Sequence, residues 1–298
     1  MECACVFSVL FFLSSCSSSR SSSNSFEQDK ITGTLKIERQ FGNFTDAQAI
    51  SIDAFGNIYV ADAGAPGVFK FNSKGDSIRS VRGIGKGHDQ FDEPCDIDAS
   101  LTNSVAVADR NNHRIEIYSK DLIWQAAIAG HEAGSKIRFG YPLAVRAASA
   151  GNYFIIDGEN KRAISIQPEN GSQQIITTSG TESAAEMNPL SLALAGNEFV
   201  TIADGNSRSL IIFNNAYLPQ SRIRYEGINN TKLSSSENFI YVLDKKTNIV
   251  RVFDAGDLSY KVSYVLPFGV NHAAAIFVYK EGFYILTKEK VIVCSKEQ

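Results

Sequence analysis

A short phrase returns six times down this chain: a run of apolar or aromatic residues, closed five times out of six by an aspartate. It reads Ile58-Tyr59-Val60-Ala61-Asp62, Val105-Ala106-Val107-Ala108-Asp109, Tyr153-Phe154-Ile155-Ile156-Asp157, Val200-Thr201-Ile202-Ala203-Asp204 and Ile240-Tyr241-Val242-Leu243-Asp244. The sixth copy, Phe283-Tyr284-Ile285-Leu286-Thr287, has lost the acid. The closing residues stand 47, 48, 47, 40 and 43 positions apart. A period in that range means one supersecondary unit copied along the chain, which buries its apolar faces only by stacking on its neighbours.

Each unit has the grammar of a small antiparallel sheet. In the first, Ala49-Ile50-Ser51-Ile52-Asp53 is a short strand and Phe55-Gly56-Asn57 a turn. The apolar phrase makes a second strand, Val68-Phe69-Lys70-Phe71 a third, and 77–82 a fourth that alternates polar and apolar residues. Short strands separated by Gly, Asn, Asp and Pro predict an all-β chain. A second strand apolar on both faces suits burial between neighbouring sheets. The predicted fold is a six-bladed β-propeller of four-stranded antiparallel blades over residues 31–298, with about 45 residues per blade. After His272 only three strands remain. The spare strand 34–40 is therefore expected to pair with the C-terminal blade and close the ring, leaving no open edge.

Phe91-Asp92-Glu93-Pro94 stands 15 residues before Asp109, which Arg110-Asn111-Asn112-His113-Arg114-Ile115 follows. Phe139-Gly140-Tyr141-Pro142 stands 15 before Asp157, and Met187-Asn188-Pro189 leads to Asp204 in the same way. These elements resemble the NHL repeat, a resemblance that implies a six-bladed propeller. Propeller lyases and lactonases resembling this family hold a metal at the channel mouth.

Residues 1–16 read as a targeting segment, with Val6-Phe7-Ser8-Val9-Leu10-Phe11-Phe12-Leu13 too short to span a membrane. Leu13-Ser14-Ser15-Cys16 is similar to the bacterial lipobox, which implies acylation of Cys16. The segment lacks the basic residue that usually leads such a signal and carries Glu2. Residues 17–30 form a Ser-rich tether, on the order of 20 Å long as a flexible chain. The expected place is the bacterial envelope, lipid-anchored at the outer membrane's periplasmic face or at the cell surface. Cys95 and Cys294 are expected to be free thiols, too far apart in the fold to bond. A net charge of −3 argues against a nucleic-acid partner.

The repeated aspartates are expected to pin turns rather than catalyse, because residues copied around a ring cannot converge on one site. Arg114, Arg162 and Arg208 follow three of them and could pair with them. Register places Gln48, Cys95, Asp96, Asn230, Lys232 and His272 at the channel mouth, where inner strands begin. One histidine and one carboxylate among them make a poor metal set. Lys86, His88, Glu132 and Lys136 lie on the long loops 83–93 and 130–141; a third such loop is 179–188. Gly83-Ile84-Gly85-Lys86-Gly87 is expected to be a blade-to-blade turn, since no helix follows to make a phosphate cradle. The function expected from the sequence is a non-enzymatic, monomeric binding module without cofactor. Its ligand, a protein, peptide, glycan or small molecule, would be held by Gln48, Asp96, Lys232, His272 and the loop residues Lys86, His88, Glu132 and Lys136. The alternative is a metal-dependent lyase or hydrolase with its site at the central channel mouth.

Overall fold

The structure, a computed structural model, describes residues 33–297 apart from 102, 132, 135, 178–186, 197 and 198. The expected signal, Cys16, the tether, Glu132 and most of the loop 179–188 lie outside the described residues.

Strand β1 (Gly33–Phe41) comes first and is used last. Blade one is β2 (Ala47–Ile52), β3 (Ile58–Asp62), β4 (Gly67–Phe71) and β5 (Ser77–Arg82). Blade two is β6 (Pro94–Asp98), β7 (Ser104–Asp109), β8 (Arg114–Ser119) and β9 (Trp124–Ala129). Blade three is β10 (Pro142–Ala147), β11 (Tyr153–Asp157), β12 (Arg162–Gln167) and β13 (Ser172–Ile176). Blade four is β14 (Pro189–Leu194), β15 (Val200–Asp204), β16 (Ser209–Phe213) and β17 (Pro219–Arg224). Blade five is β18 (Thr231–Ser235), β19 (Phe239–Asp244), β20 (Ile249–Asp254) and β21 (Tyr260–Val265). Blade six is β22 (Ala273–Tyr279), β23 (Gly282–Thr287) and β24 (Val291–Lys296), completed by β1.

Ring closure follows the sequence expectation: β1 runs antiparallel to β24, pairing Leu35 with Lys296 and Phe41 with Val291. The same strand also touches β21 in parallel, through Gly33–Tyr264 and Thr34–Val265, and so fuses blades five and six into one eight-stranded sheet. The apolar phrases are buried apart from the half-buried Tyr153, whereas the outer strand β5 buries only Val81. The core is divided among the blade contacts. Tyr59, Val68 and Phe91 pack with Val107 and Tyr118 between blades one and two. Tyr264, Phe283 and Ile285 pack with Leu243 and Val252 between blades five and six.

The aspartates pin the ring's upper face, where inner strands begin and second strands end. Asp62 accepts the N–H groups of Thr45, Asp46 and Gly64. Asp109 accepts Asp92 N–H at 2.8 Å and Asn112 Nδ2 at 2.7 Å. Asp157 and Asp204 accept Gly140 N–H and Asn188 N–H. Each carboxylate ties the start of an inner strand to the turn after the second, satisfying N–H groups that burial would leave unpaired.

Arg114 and Arg162 pair with Asp109 and Asp157 at 3.0 and 2.8 Å. Arg208 does not reach Asp204; it lies against Glu226. Position decides this. Arg114 and Arg162 sit directly opposite their aspartates in the ladder, where blade four has Ser209. Arg208 instead occupies the preceding turn position, with φ 50°, alongside His113 and Lys161 at 53° and 50°. That left-handed turn directs its side chain outward. Cys95 and Cys294 are free, as expected, although Cys95 is only half-buried.

Candidate active site

The inner strands face the central channel, and their free edges need partners for their N–H groups. Short polar side chains of one blade supply them to the next. Ser51 Oγ accepts Ala99 N–H at 2.9 Å, Asp96 Oδ2 accepts Val145 N–H at 2.9 Å and Asp98 Oδ2 accepts Ala147 N–H at 2.7 Å. Ser191 Oγ accepts Leu233 N–H at 2.9 Å.

Aligning the strands by their ladder partners resolves two layers of six side chains. Ala49, Asp96, Ala144, Ser191, Lys232 and Ala275 each pair with the residue before the closing Asp or Thr. Ser51, Asp98, Arg146, Ala193, Ser234 and Phe277 form the next layer down, two pairs further along the ladders. In five blades a bulge after the first inner-strand residue shifts this register; blade five runs without one. That shift puts Lys232 level with Asp96.

One charged cluster spans the two layers. Arg146 Nη1 lies 2.6 Å from Asp96 Oδ2, and Lys232 Nζ lies 3.4 Å from Asp96 Oδ1. Burial would raise the Asp96 pKa; Arg146, Lys232 and the Val145 N–H outweigh it and hold the carboxyl below its usual value. Burial opposes the charge on Arg146, but Asp96 and Asp98 raise its pKa further. Cys95, beside the cluster, has its thiol pushed up to about 12 by burial and by Asp96, so it is no thiolate nucleophile.

Small residues leave room around these charges. Ala49, Ala275 and Ser234 help line a cavity of about 370 Å³, together with Asp96, Arg146, Lys232 and Glu237. Its lining runs toward the ends of the inner strands, through Ser100, Gly196 and Glu237. The cavity therefore opens on the lower face, opposite the mouth the sequence pointed to. Glu237 is exposed on the turn between β18 and β19.

Of the residues expected to bind a ligand, the fold brings together Asp96 and Lys232. Gln48 is half-buried and donates to Asp46 O at 3.2 Å in its own turn. His272 is exposed and one residue above its expected register, because Ala273 is the residue that pairs with Thr287. Asn230 ends a 3-10 turn above β18 and is exposed. Lys86, His88 and Lys136 are exposed on outer loops. His88 packs against Trp124, the ring centroids 3.8 Å apart and the planes tilted by 52°. The loop 83–93 is the blade-to-blade turn foreseen, clasped by Arg114 through the carbonyls of Lys86, Gly87 and Gln90. Arg146, which the sequence reading missed, completes the cluster. Counting residues from the strand start points to Leu143; counting back from Asp157 along the ladder points to Arg146.

The metal that such propeller enzymes imply does not fit the residues present. Among the described residues, no three His, Cys, Asp or Glu side chains are grouped to hold an ion. The two buried carboxylates beside the open space are already in use: Asp96 carries Arg146, Lys232 and a backbone N–H, and Asp98 accepts from Ser100 and the Ala147 N–H.

No protein-family model and no curated protein matches the sequence. Solved structures do match. Virginiamycin B lyase from Staphylococcus aureus is 10% identical, with 88% of this chain and 99% of that chain covered and a TM-score of 0.61. A gluconolactonase from Xanthomonas campestris is 10% identical over 86% of this chain and 88% of its own, with a TM-score of 0.62. A chain of a nidogen/laminin complex is 16% identical over 78% of this chain and 84% of its own, with a TM-score of 0.58. At these identities the likeness shows the fold, a propeller. It also corrects two expectations. The NHL assignment is not upheld, since no family model matches and the structural likeness runs to lyase and lactonase propellers. The non-enzymatic binding reading is overturned by the same matches to catalytic propellers, which cover nearly the whole described ring.

Proposed function

We propose that the chain is an enzyme of the lyase or hydrolase class, acting in the central channel on a carbonyl-bearing substrate. The observation that carries the reading is the Asp96–Arg146–Lys232 cluster on the wall of the 370 Å³ cavity. Asp96 fixes both cations in place, and each keeps donors aimed at whatever enters. Fixed cations in a water-poor site stabilise charge that develops on a carbonyl oxygen, and such stabilisation commonly lowers the barrier more than any other single effect. Glu237, at the lower opening, is the carboxylate placed to take a proton. Removal of a proton α to the carbonyl, with departure of a group from the β carbon, gives the lyase outcome. Addition of water to the same carbonyl, with cleavage of the acyl C–O bond and transfer of the water's proton to the departing alkoxide, gives the hydrolase outcome. Both gather negative charge between Arg146 and Lys232.

The test is a turnover screen of the purified chain. Carboxylate substrates are followed by absorbance of the unsaturated product, and lactones by proton release. Activity is expected to survive dialysis against a chelator and to fall at least about 100-fold in Lys232→Met, a magnitude typical of losing one transition-state donor. Loss of activity on chelation, with Lys232→Met unaffected, would remove the reading.

The envelope location enters the same proposal. With a lipid on Cys16, the tether would join the ring at Gly33, beside Tyr264. Labelled palmitate is expected in the intact chain and absent from Cys16→Ser; equal labelling of both would refute the anchor.

A further inference from the structure

A second cavity, of about 750 Å³, lies in a groove between blades five and six. Its walls include Phe239, Tyr241, Tyr264, Phe277 and Phe283. β1 pairs with β21 only at Tyr264 and Val265, and Lys261 and Val262, below that junction, line the groove without a partner in β1. A cavity of this size and aromatic character suits a small organic molecule. The groove is continuous with the channel: Ser100, Ser235, Ser236, Glu237 and Phe277 line both spaces.

The hydrogen-bond inventory of the two inner-strand layers is one-sided; the carboxylate of Glu237 stands outside them, at the opening. The acceptors of the layers are in use, since Ser51, Asp96, Asp98 and Ser191 all take strand N–H groups. Their donors are not. Arg146 commits Nη1 to Asp96 and to Val145 O, which leaves the rest of its five-donor fork. Lys232 has only the 3.4 Å contact. Ser234 Oγ is buried on the cavity wall with no hydrogen-bond partner among the described residues. A buried hydroxyl without a partner is a costly feature that a bound group relieves. Surplus donors call for a ligand that brings acceptors.

We infer that the channel cavity and the groove are one bipartite site for an amphipathic carboxylate, its acid head at Lys232, Arg146 and Ser234 and its alkyl or aryl body between blades five and six. This deepens the enzyme reading and rests on it for turnover of the ligand, but not for binding. Lys296, 5.8 Å above the Tyr264 ring, stands where the far end of the body reaches solvent.

The experiment is calorimetric titration of the full chain with sodium decanoate, sodium acetate and decylammonium chloride. Decanoate is expected to bind at least about 100-fold more tightly than acetate, since even partial burial of its methylenes is worth that much. It should exceed decylammonium about 10-fold or more, the cost of presenting a cation to buried cations. Lys232→Met should weaken decanoate about 10-fold and leave the decylammonium titration no weaker. Val262→Glu should abolish the preference for decanoate over acetate, and Phe239→Ser should reduce it should the first variant melt early. Acetate within about threefold of decanoate, decylammonium equal to decanoate, or no decanoate binding would each overturn the inference. Binding in the expected pattern without turnover of any carboxylate would leave the inference standing and remove the enzyme reading. Equal turnover of substrates with and without an apolar body would do the reverse.

Discussion

The two ends of the inner strands are built from the same residue types for opposite purposes. At the upper end, each aspartate is closed off by backbone N–H groups and, in blades two and three, by an arginine opposite it in the ladder. Inside the channel, Asp96 is equally saturated, but its two cations come from blades three and five and reach it across the ring beside open space. A repeated residue satisfied within its own blade makes scaffold. A residue satisfied across the ring makes a site, because its partners enclose the volume between them.

Four measurements test that contrast. Asp109→Ala should cost the most, about 3 kcal/mol, because it strands buried N–H groups and takes a partner from Arg114. Chemical denaturation would read the loss, and turnover per folded molecule should be unchanged. A folded Asp109→Ala protein with normal stability and no activity would erase the distinction between the ends. Lys232→Met should show the opposite pattern: turnover down at least about 100-fold with little change in melting, since Asp96 keeps Arg146 and Val145 N–H. Ser51→Ala, which leaves Ala99 N–H unpaired, should cost about 1–2 kcal/mol and spare activity.

The smallest effect is one of sign. Asp96 has its pKa lowered, so its ionised form stabilises the fold above the unfolded value, and that contribution is lost as pH falls through the folded value. Asp109 has its pKa raised, chiefly by burial, so its contribution is fullest below the unfolded value and is lost as pH rises through the folded one. Urea melts at about pH 3 and about pH 6 should show wild type gaining on Asp96→Asn as pH rises and losing ground to Asp109→Asn. Equal signs for the two would break the comparison.

A repeated apolar phrase at near-constant spacing was enough to determine the blades, their number and the closing strand. Each blade must bury both faces of its second strand, and one spare strand had one open edge to fill. The turn role of Asp62, Asp109, Asp157 and Asp204 was legible for the same reason: it is local, reached within about 17 residues of chain. The site was legible only in part. Asp96 and Lys232 stand out as polar residues on inner strands, but Arg146 does not, and the fold leaves Gln48 and His272 outside the cluster. Residue counting cannot see the bulge that five inner strands carry and blade five omits. Which end of the channel opens, and that it joins the groove beside β21, depends on contacts between residues more than 80 apart in sequence, such as Lys232 with Asp96. Only the closed ring brings those together, because a propeller's repeats fix each blade locally while its centre belongs to all six at once.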